Sequence, residues 1–352
     1  MKPITKITAI LFLIILTGLN AKSQIETTVL YKDRIIKESK SIFFTNRPII
    51  VNEDSTVTFK NKSTSQTNTL YFCTYDFEND SIELYYKTEN PSANYPKGKV
   101  DNNIFYNMYE FQRLKRGIKN FYFIVGGYGK SFEKQVNSYM KRLKSKYGDS
   151  LFNKAVVVTY AWGVEDDAYQ YYHAVRASKN GASDFAIFQH MMDEFVSDEN
   201  YFKTHPKDFN FVILFSSMGN NLFKEYLEER EKQNIPLVKA YNRILFVGSV
   251  APRNSFEEGN AFYNLNQITD SVDVFVNSKD VLLKMSSAAH VKSRLGNKGP
   301  KDEENLPGYI NVWHIEGLMG KEDKAGMGHD YLLTNQVLQD ELLRTVNEKI
   351  KQ

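Results

Sequence analysis

The segment FVILFSSMGNNLFKEYL, Phe211 to Leu227, decides the fold. An apolar run that reads as a buried strand passes through Ser216-Ser217-Met218-Gly219-Asn220 directly into a helix. A serine held on so sharp a strand-to-helix turn carries its hydroxyl above the sheet edge, at the positive end of the helix dipole. Ser217 is therefore the candidate nucleophile, and an acid followed by a histidine is expected further along the chain.

Around this segment strands and helices alternate, the pattern of a parallel sheet covered on both faces. Phe121 to Val125 reads as a buried strand, Ser131 to Tyr147 as an amphipathic helix ended by Gly148, and Ala155 to Tyr160 as the next strand. Two helical segments follow, Asp167 to Ser178 and Ser183 to Val196. Beyond Arg230, Arg243 to Val250, Ser271 to Asn277 and Tyr309 to Ile315 read as strands, and Asn335 to Ile350 as a closing helix. Earlier, Asn102 to Lys115 reads as a helix that Gly117 caps.

The stretch before it is β-rich, with short runs Thr28 to Tyr31, Ser41 to Phe44, Ile49 to Val51, Thr56 to Phe59, Thr69 to Thr74 and Ser81 to Tyr86 separated by polar turns. Only the last two are expected to join the main sheet. The expected organisation is thus a leader over 1–23, a β-rich extension over 24–68 and an α/β domain over 69–352.

The leader is read from Lys2 and Lys6, the apolar run Ile7 to Leu19, and Ala21-Lys22-Ser23 as a cleavage site. Thirteen apolar residues fall short of the ~20 that span a bilayer, so an exported chain, periplasmic or extracellular, with no stable membrane span is expected. The single cysteine, Cys73, has no internal disulfide partner. The formal charge of +3 comes from the leader's lysines, and a balanced remainder gives no reason to expect nucleic acid or a broadly anionic membrane as partner.

Acyl transfer by a serine needs a base, an acid to orient it, and backbone N–H groups aimed at the developing oxyanion. Asp280 lies just beyond the carboxyl end of the Ser271 strand, where open α/β sheets build their sites. It can also cap the helix beginning at Val281, and the two roles are compatible. Asp273, inside the strand, reads as a residue facing solvent. His329, in Gly326-Met-Gly-His-Asp-Tyr331, alone among six histidines has both the chain order and the loop setting. His314 reads as a strand residue, His290 precedes the last strand, and His173, His190 and His205 precede Ser217. For the oxyanion hole, Met218 supplies the N–H after the nucleophile, and Gly126-Gly127-Tyr128-Gly129 is the candidate for the second donor.

These segments together resemble a branch of the α/β-hydrolase superfamily, the bacterial hydrolases grouped as a domain of unknown function, DUF900. The similar pieces are LYFCTYDF (70–77) to a leading FYATDR strand, IVGGYG (124–129) to an HGYN-like loop, and VTYAWG (158–163) to a strand ending FxWPS. YQYYHAVRAS (169–178) is similar to the following helix, FSSMGN (215–220) to an AHSMGN elbow, NSKDVLL (277–283) to the acid segment, and GHDYL (328–332) to a late GHxxY histidine. The resemblance covers about Leu70 to Leu333. It implies an α/β-hydrolase fold, a mostly parallel sheet covered by helices, in which Ser217, Asp280 and His329 are nucleophile, acid and base. Met218 and Tyr128, beside Gly127, would form the oxyanion hole.

Phe215 stands where the family has a small residue, and a bulky ring there can distort the turn. Gly126 and Ser216 replace two histidines of the family motifs, removing polar support. The function expected is esterase-like hydrolysis of a small-molecule or lipid-like ester through an acyl enzyme, without cofactor or metal, since no HxxxH or clustered carboxylate spacing occurs. The alternative is a catalytically degenerate hydrolase fold that binds a ligand or an envelope partner. The substrate, a lid and the oligomeric state are not legible.

Overall fold

The computed structural model describes residues 26–29, 40–51, 53, 57–59, 69–76, 81–89, 103–127, 145, 148, 153–163, 171–290, 292–318, 327–329, 331, 335, 338, 340, 341 and 344. The leader and the expected helix Ser131 to Tyr147, apart from isolated residues, lie outside them, as does Tyr128.

Twelve strands are formed among the described residues. They are β1 (Glu26–Val29), β2 (Lys40–Thr45), β3 (Ile49–Val51), β4 (Val57–Phe59), β5 (Thr69–Asp76), β6 (Ser81–Glu89), β7 (Asn120–Val125), β8 (Ala155–Ala161), β9 (Asn210–Ser216), β10 (Tyr241–Val247), β11 (Thr269–Val276) and β12 (Ile310–His314). Ten of them make one sheet in the order β1-β6-β5-β2-β8-β7-β9-β10-β11-β12, and β3 pairs with β4 alone. From β2 to β12 all neighbours run parallel, while β5, β6 and β1 add an antiparallel edge.

The sheet corrects the expectation that only the strands at Thr69 and Ser81 would join it. β2 lies inside it, with Ile42, Phe43 and Phe44 buried between β5 and β8. Three consecutive apolar residues flanked by serine and threonine are too few to announce a central strand, but both faces of β2 are covered.

Alternation along the parallel strands sorts two cores. Phe121, Phe123 and Val125 with Phe211, Ile213 and Phe215 face one layer, and Tyr122 and Ile124 with Val212 and Leu214 face the other. The first layer is covered by α1 (Asn103–Tyr109), which continues as a π-helical turn over Glu110–Lys115, by α2 (Tyr171–Ser197) and by α3 (Gly219–Lys232). Leu338, at the start of the expected closing helix, packs in the second layer. A shorter helix, α4 (Val281–His290), follows β11.

α2 is continuous where two helices were expected. Lys179-Asn180-Gly181 reads as a break, yet Gly181 sits inside the helix because a β-carbon there would lie 3.3 Å from Leu222 of α3. Its cost in helix propensity is offset by close packing of the two helices. Among the described residues no helix is long and apolar enough to cross a membrane.

Candidate active site

The chain runs from β7 to β8 on one side and then returns to β9 on the other, so the sheet reverses direction beside β7. Such a switch point opens a crevice at the carboxyl ends of the strands. Val125 and Phe215 pair in register, which sets Gly126-Gly127 beside Ser216-Ser217.

Ser217 has φ 52°, left-handed backbone that a non-glycine residue adopts at a cost of about 1–3 kcal/mol. Four hydrogen bonds hold it there. The Ser217 N–H donates to Val247 O at 2.8 Å, and the buried Asn220 side chain donates to Phe215 O and Ser217 O, both at 2.9 Å, and to Val247 O at 3.4 Å. Two glycines give the turn room. A β-carbon on Gly219 would lie 2.6 Å from Val125 O, and one on Gly127 would lie 2.6 Å from the Ser217 β-carbon.

Phe215 does not disturb this turn. Its ring is fully buried on the helical side of the sheet, stacked on Phe223 at 4.2 Å, and edge-on to Phe185. Strand alternation points residue 215 away from the crevice, so the ring fills core space. Gly126 is anchored through its carbonyl, which accepts the Trp162 indole N–H at 2.8 Å.

The structure brings Ser217, His329 and Asp280 together. His329 Nε2 is 2.8 Å from Ser217 Oγ, and His329 Nδ1 is 2.6 Å from Asp280 Oδ2. A carboxylate only accepts, so Nδ1 carries the ring proton and Nε2 is left to accept from the hydroxyl. Asp280 is fully buried and its Oδ1 accepts the Leu283 N–H at 2.9 Å, so one carboxylate caps α4 and orients the imidazole.

Polar residues close in sequence to the three side chains fix this arrangement. Asn277 donates from Nδ2 to Gly328 O at 2.8 Å and accepts the Lys279 N–H at 3.0 Å, tying the acid loop to the histidine loop. Tyr331 Oη accepts the Gly248 N–H at 2.5 Å and donates to Phe275 O at 3.4 Å, joining the ends of β10 and β11. Burial and the nearby Asp280 push its phenol well above the ordinary value, so it stays neutral. Gly248 in turn lies under the His329 ring, where a β-carbon would be 3.0 Å from Cε1. Asn220, Asn277 and Tyr331 share one feature readable in advance, a polar group two or three residues from a site residue.

Among the described residues no acceptor takes the Met218 N–H, which begins the turn into α3. Gly127 stands beside Ser217, and Tyr128 lies outside the described residues. Asp273 is a correction: it is fully buried rather than facing solvent, because β11 alternation turns it into the second layer. There the Trp313 indole N–H donates to it at 2.9 Å, the Asn311 amide at 3.2 Å, and Arg243 pairs with it at 3.3 Å. Burial pushes its carboxyl up from the ordinary value. His314 is an exposed strand residue beside Glu303. Among the described residues no three His, Cys, Asp or Glu side chains converge to hold a metal ion.

No protein-family model matches the chain, and no curated protein matches it. Geometry and chemistry alone therefore carry the functional reading.

Proposed function

We propose that this chain is an exported serine hydrolase of the α/β-hydrolase type, similar to the DUF900 hydrolases, that cleaves carboxylic esters through an acyl enzyme. The observation that carries the proposal is the hydrogen-bonded chain Ser217 Oγ to His329 Nε2 and His329 Nδ1 to Asp280, at 2.8 and 2.6 Å, over the strained turn.

In this mechanism His329 Nε2 takes the Ser217 proton as Oγ bonds to the ester carbonyl carbon. The carbonyl oxygen becomes an oxyanion received by the Met218 N–H and by a second N–H from the Gly127-Tyr128 loop. When the intermediate collapses, the carbon–oxygen bond to the alcohol breaks and His329 returns its proton to the leaving oxygen. Water, deprotonated by the same imidazole, then releases the acid and restores Ser217. Asp280 keeps the proton on Nδ1 throughout.

A water-soluble aryl ester tests this. Rapid mixing is expected to give a burst of phenolate equal to the enzyme concentration, followed by slower turnover, and Ser217→Ala is expected to give neither. A burst that survives in Ser217→Ala would place the nucleophile elsewhere.

A further inference from the structure

Eight large apolar side chains are exposed among the described residues; three of them, Val281, Leu282 and Met285, lie on α4 directly after Asp280, and Met327 lies two residues before His329. Their neighbourhood is set by contacts. Gly328, next to Met327, places its β-carbon position 3.6 Å from Lys279 O, and the Lys279 ammonium donates to Glu316 O at 3.0 Å, two residues before Leu318. These contacts bring the chain at Met327 and at Glu316, two residues before Leu318, to Lys279, which leads into α4.

α4 has the pattern of a surface-binding helix. Leu283 and Ser286 face inward, while Val281, Met285 and Ala288, at i, i+4 and i+7, make an outward stripe with Leu282 on one edge and Lys284 on the other. Met285 is 61% exposed, so this stripe is no part of the core. Such apolar surface beside a candidate active site marks where something else packs.

Charge identifies the occupant. From Val281 to Lys301 the chain carries five cations and no acid, of which Arg294 is buried on Ser286 and Val250 and Lys301 pairs with Glu257, leaving Lys284, Lys292 and Lys298 on the surface. Among the described residues Lys279, Lys284 and Lys292 have no acidic partner. The near-zero net charge of the remaining chain conceals this local imbalance. Apolar side chains at the centre of a helix face with lysines at its margin match an anionic lipid surface, where the first enter the acyl boundary and the second meet headgroup charge.

We propose that the rim formed by the outward face of α4 with Leu318 and Met327 docks on an anionic lipid surface. If Ser217 is the nucleophile, as proposed above, its substrates are then amphiphilic esters drawn from that surface. Docking places the acyl boundary against the helix whose first turn is capped by Asp280, so an ester leaving the layer meets Ser217 without crossing bulk water.

The test is co-sedimentation of the full Ser217→Ala chain with vesicles of phosphatidylcholine alone and of phosphatidylcholine mixed with phosphatidylglycerol. Stronger partition onto the anionic vesicles, weakened by salt, is expected. Lys284→Ala is expected to lower that partition about fivefold and Met285→Ser about tenfold. Any contribution of the apolar run Ile7 to Leu19 is common to parent and variants and cancels in these ratios. Equal partition of parent and variants overturns the proposal, as does a dimer in solution that Met285→Ser dissociates. Hydrolysis of a water-soluble ester by the unaltered chain is measured alongside. Retained hydrolysis with unaffected vesicle ratios removes the docking surface and leaves the hydrolase, whereas normal ratios without hydrolysis do the reverse.

Discussion

Asp280→Asn separates the two roles of one buried carboxylate. Oδ1 accepts the Leu283 N–H at 2.9 Å and Oδ2 accepts His329 Nδ1 at 2.6 Å. Asparagine keeps an oxygen for the helix cap, and it caps about as well as aspartate, so folding is expected to change by about 1 kcal/mol or less. The other position becomes an amide N–H₂, a donor facing a donor. The imidazole relieves the clash by moving its proton to Nε2, which then points N–H at Ser217 Oγ and can no longer accept from it. A wrong tautomer of this kind costs about 10⁴-fold in kcat, or about 5 kcal/mol of transition-state stabilisation. Asp280→Ala is expected to lose the same activity and, in addition, about 1 kcal/mol of stability with the cap. Steady-state hydrolysis of an aryl ester and urea unfolding of the same preparations measure both effects. The reasoning is refuted if Asp280→Asn turns over within tenfold of the parent, or if its activity falls only in proportion to the folded fraction.

Three further outcomes follow from other parts of the site and its frame. Gly127→Ala is expected to cost at least about 10²-fold in kcat/KM, because its β-carbon would lie 2.6 Å from that of Ser217, while the unfolding midpoint of this half-buried loop position stays near the parent's. Phe215→Ala is expected to destabilise by about 3–5 kcal/mol in urea unfolding, since the ring is stacked on Phe223 in the core; a near-neutral result would mean the ring was strained after all. Asp208 accepts from Arg113 and from Lys119, the latter at 2.6 Å. Burial raises the Asp208 carboxyl, but these bonds outweigh it and hold the group below its ordinary value. A depressed carboxyl contributes stability above the unfolded value, about 3.9, and loses it as pH falls. Asp208→Asn is therefore expected to be less stable by about 1–3 kcal/mol at neutral pH, with the difference from the parent shrinking below about pH 4. A gap that widens on acidification would reverse the sign.

The parallel strands from Phe121 onward were legible because both faces are buried, and continuous Val, Ile and Phe runs between turn residues leave little choice. The order serine, acid, histidine was legible because Ser217 and Asp280 follow the ends of strands marked by a change of composition, and His329 stands in a glycine-rich loop after the last strand. What the sequence concealed depends on partners distant along the chain. The place of β2 depends on pairing with β8, from a part of the chain more than a hundred residues later. The continuity of α2 through Gly181 depends on Leu222. The burial of Asp273 depends on Trp313 and Arg243, which pair with a charge that otherwise reads as solvent-facing. Phe215 looked like an obstacle because the turn is visible in one dimension and the pocket of aromatic rings beneath it is not.

The most direct measurement is the site of covalent capture. A fluorophosphonate is attacked only by a serine whose proton has somewhere to go, and His329 Nε2 at 2.8 Å from Ser217 Oγ provides the place. Mass spectrometry of the treated chain is expected to find one phosphonate, on the peptide containing Ser217, and none in His329→Ala. A folded chain that stays unlabelled, or a label on another serine, would contradict the account.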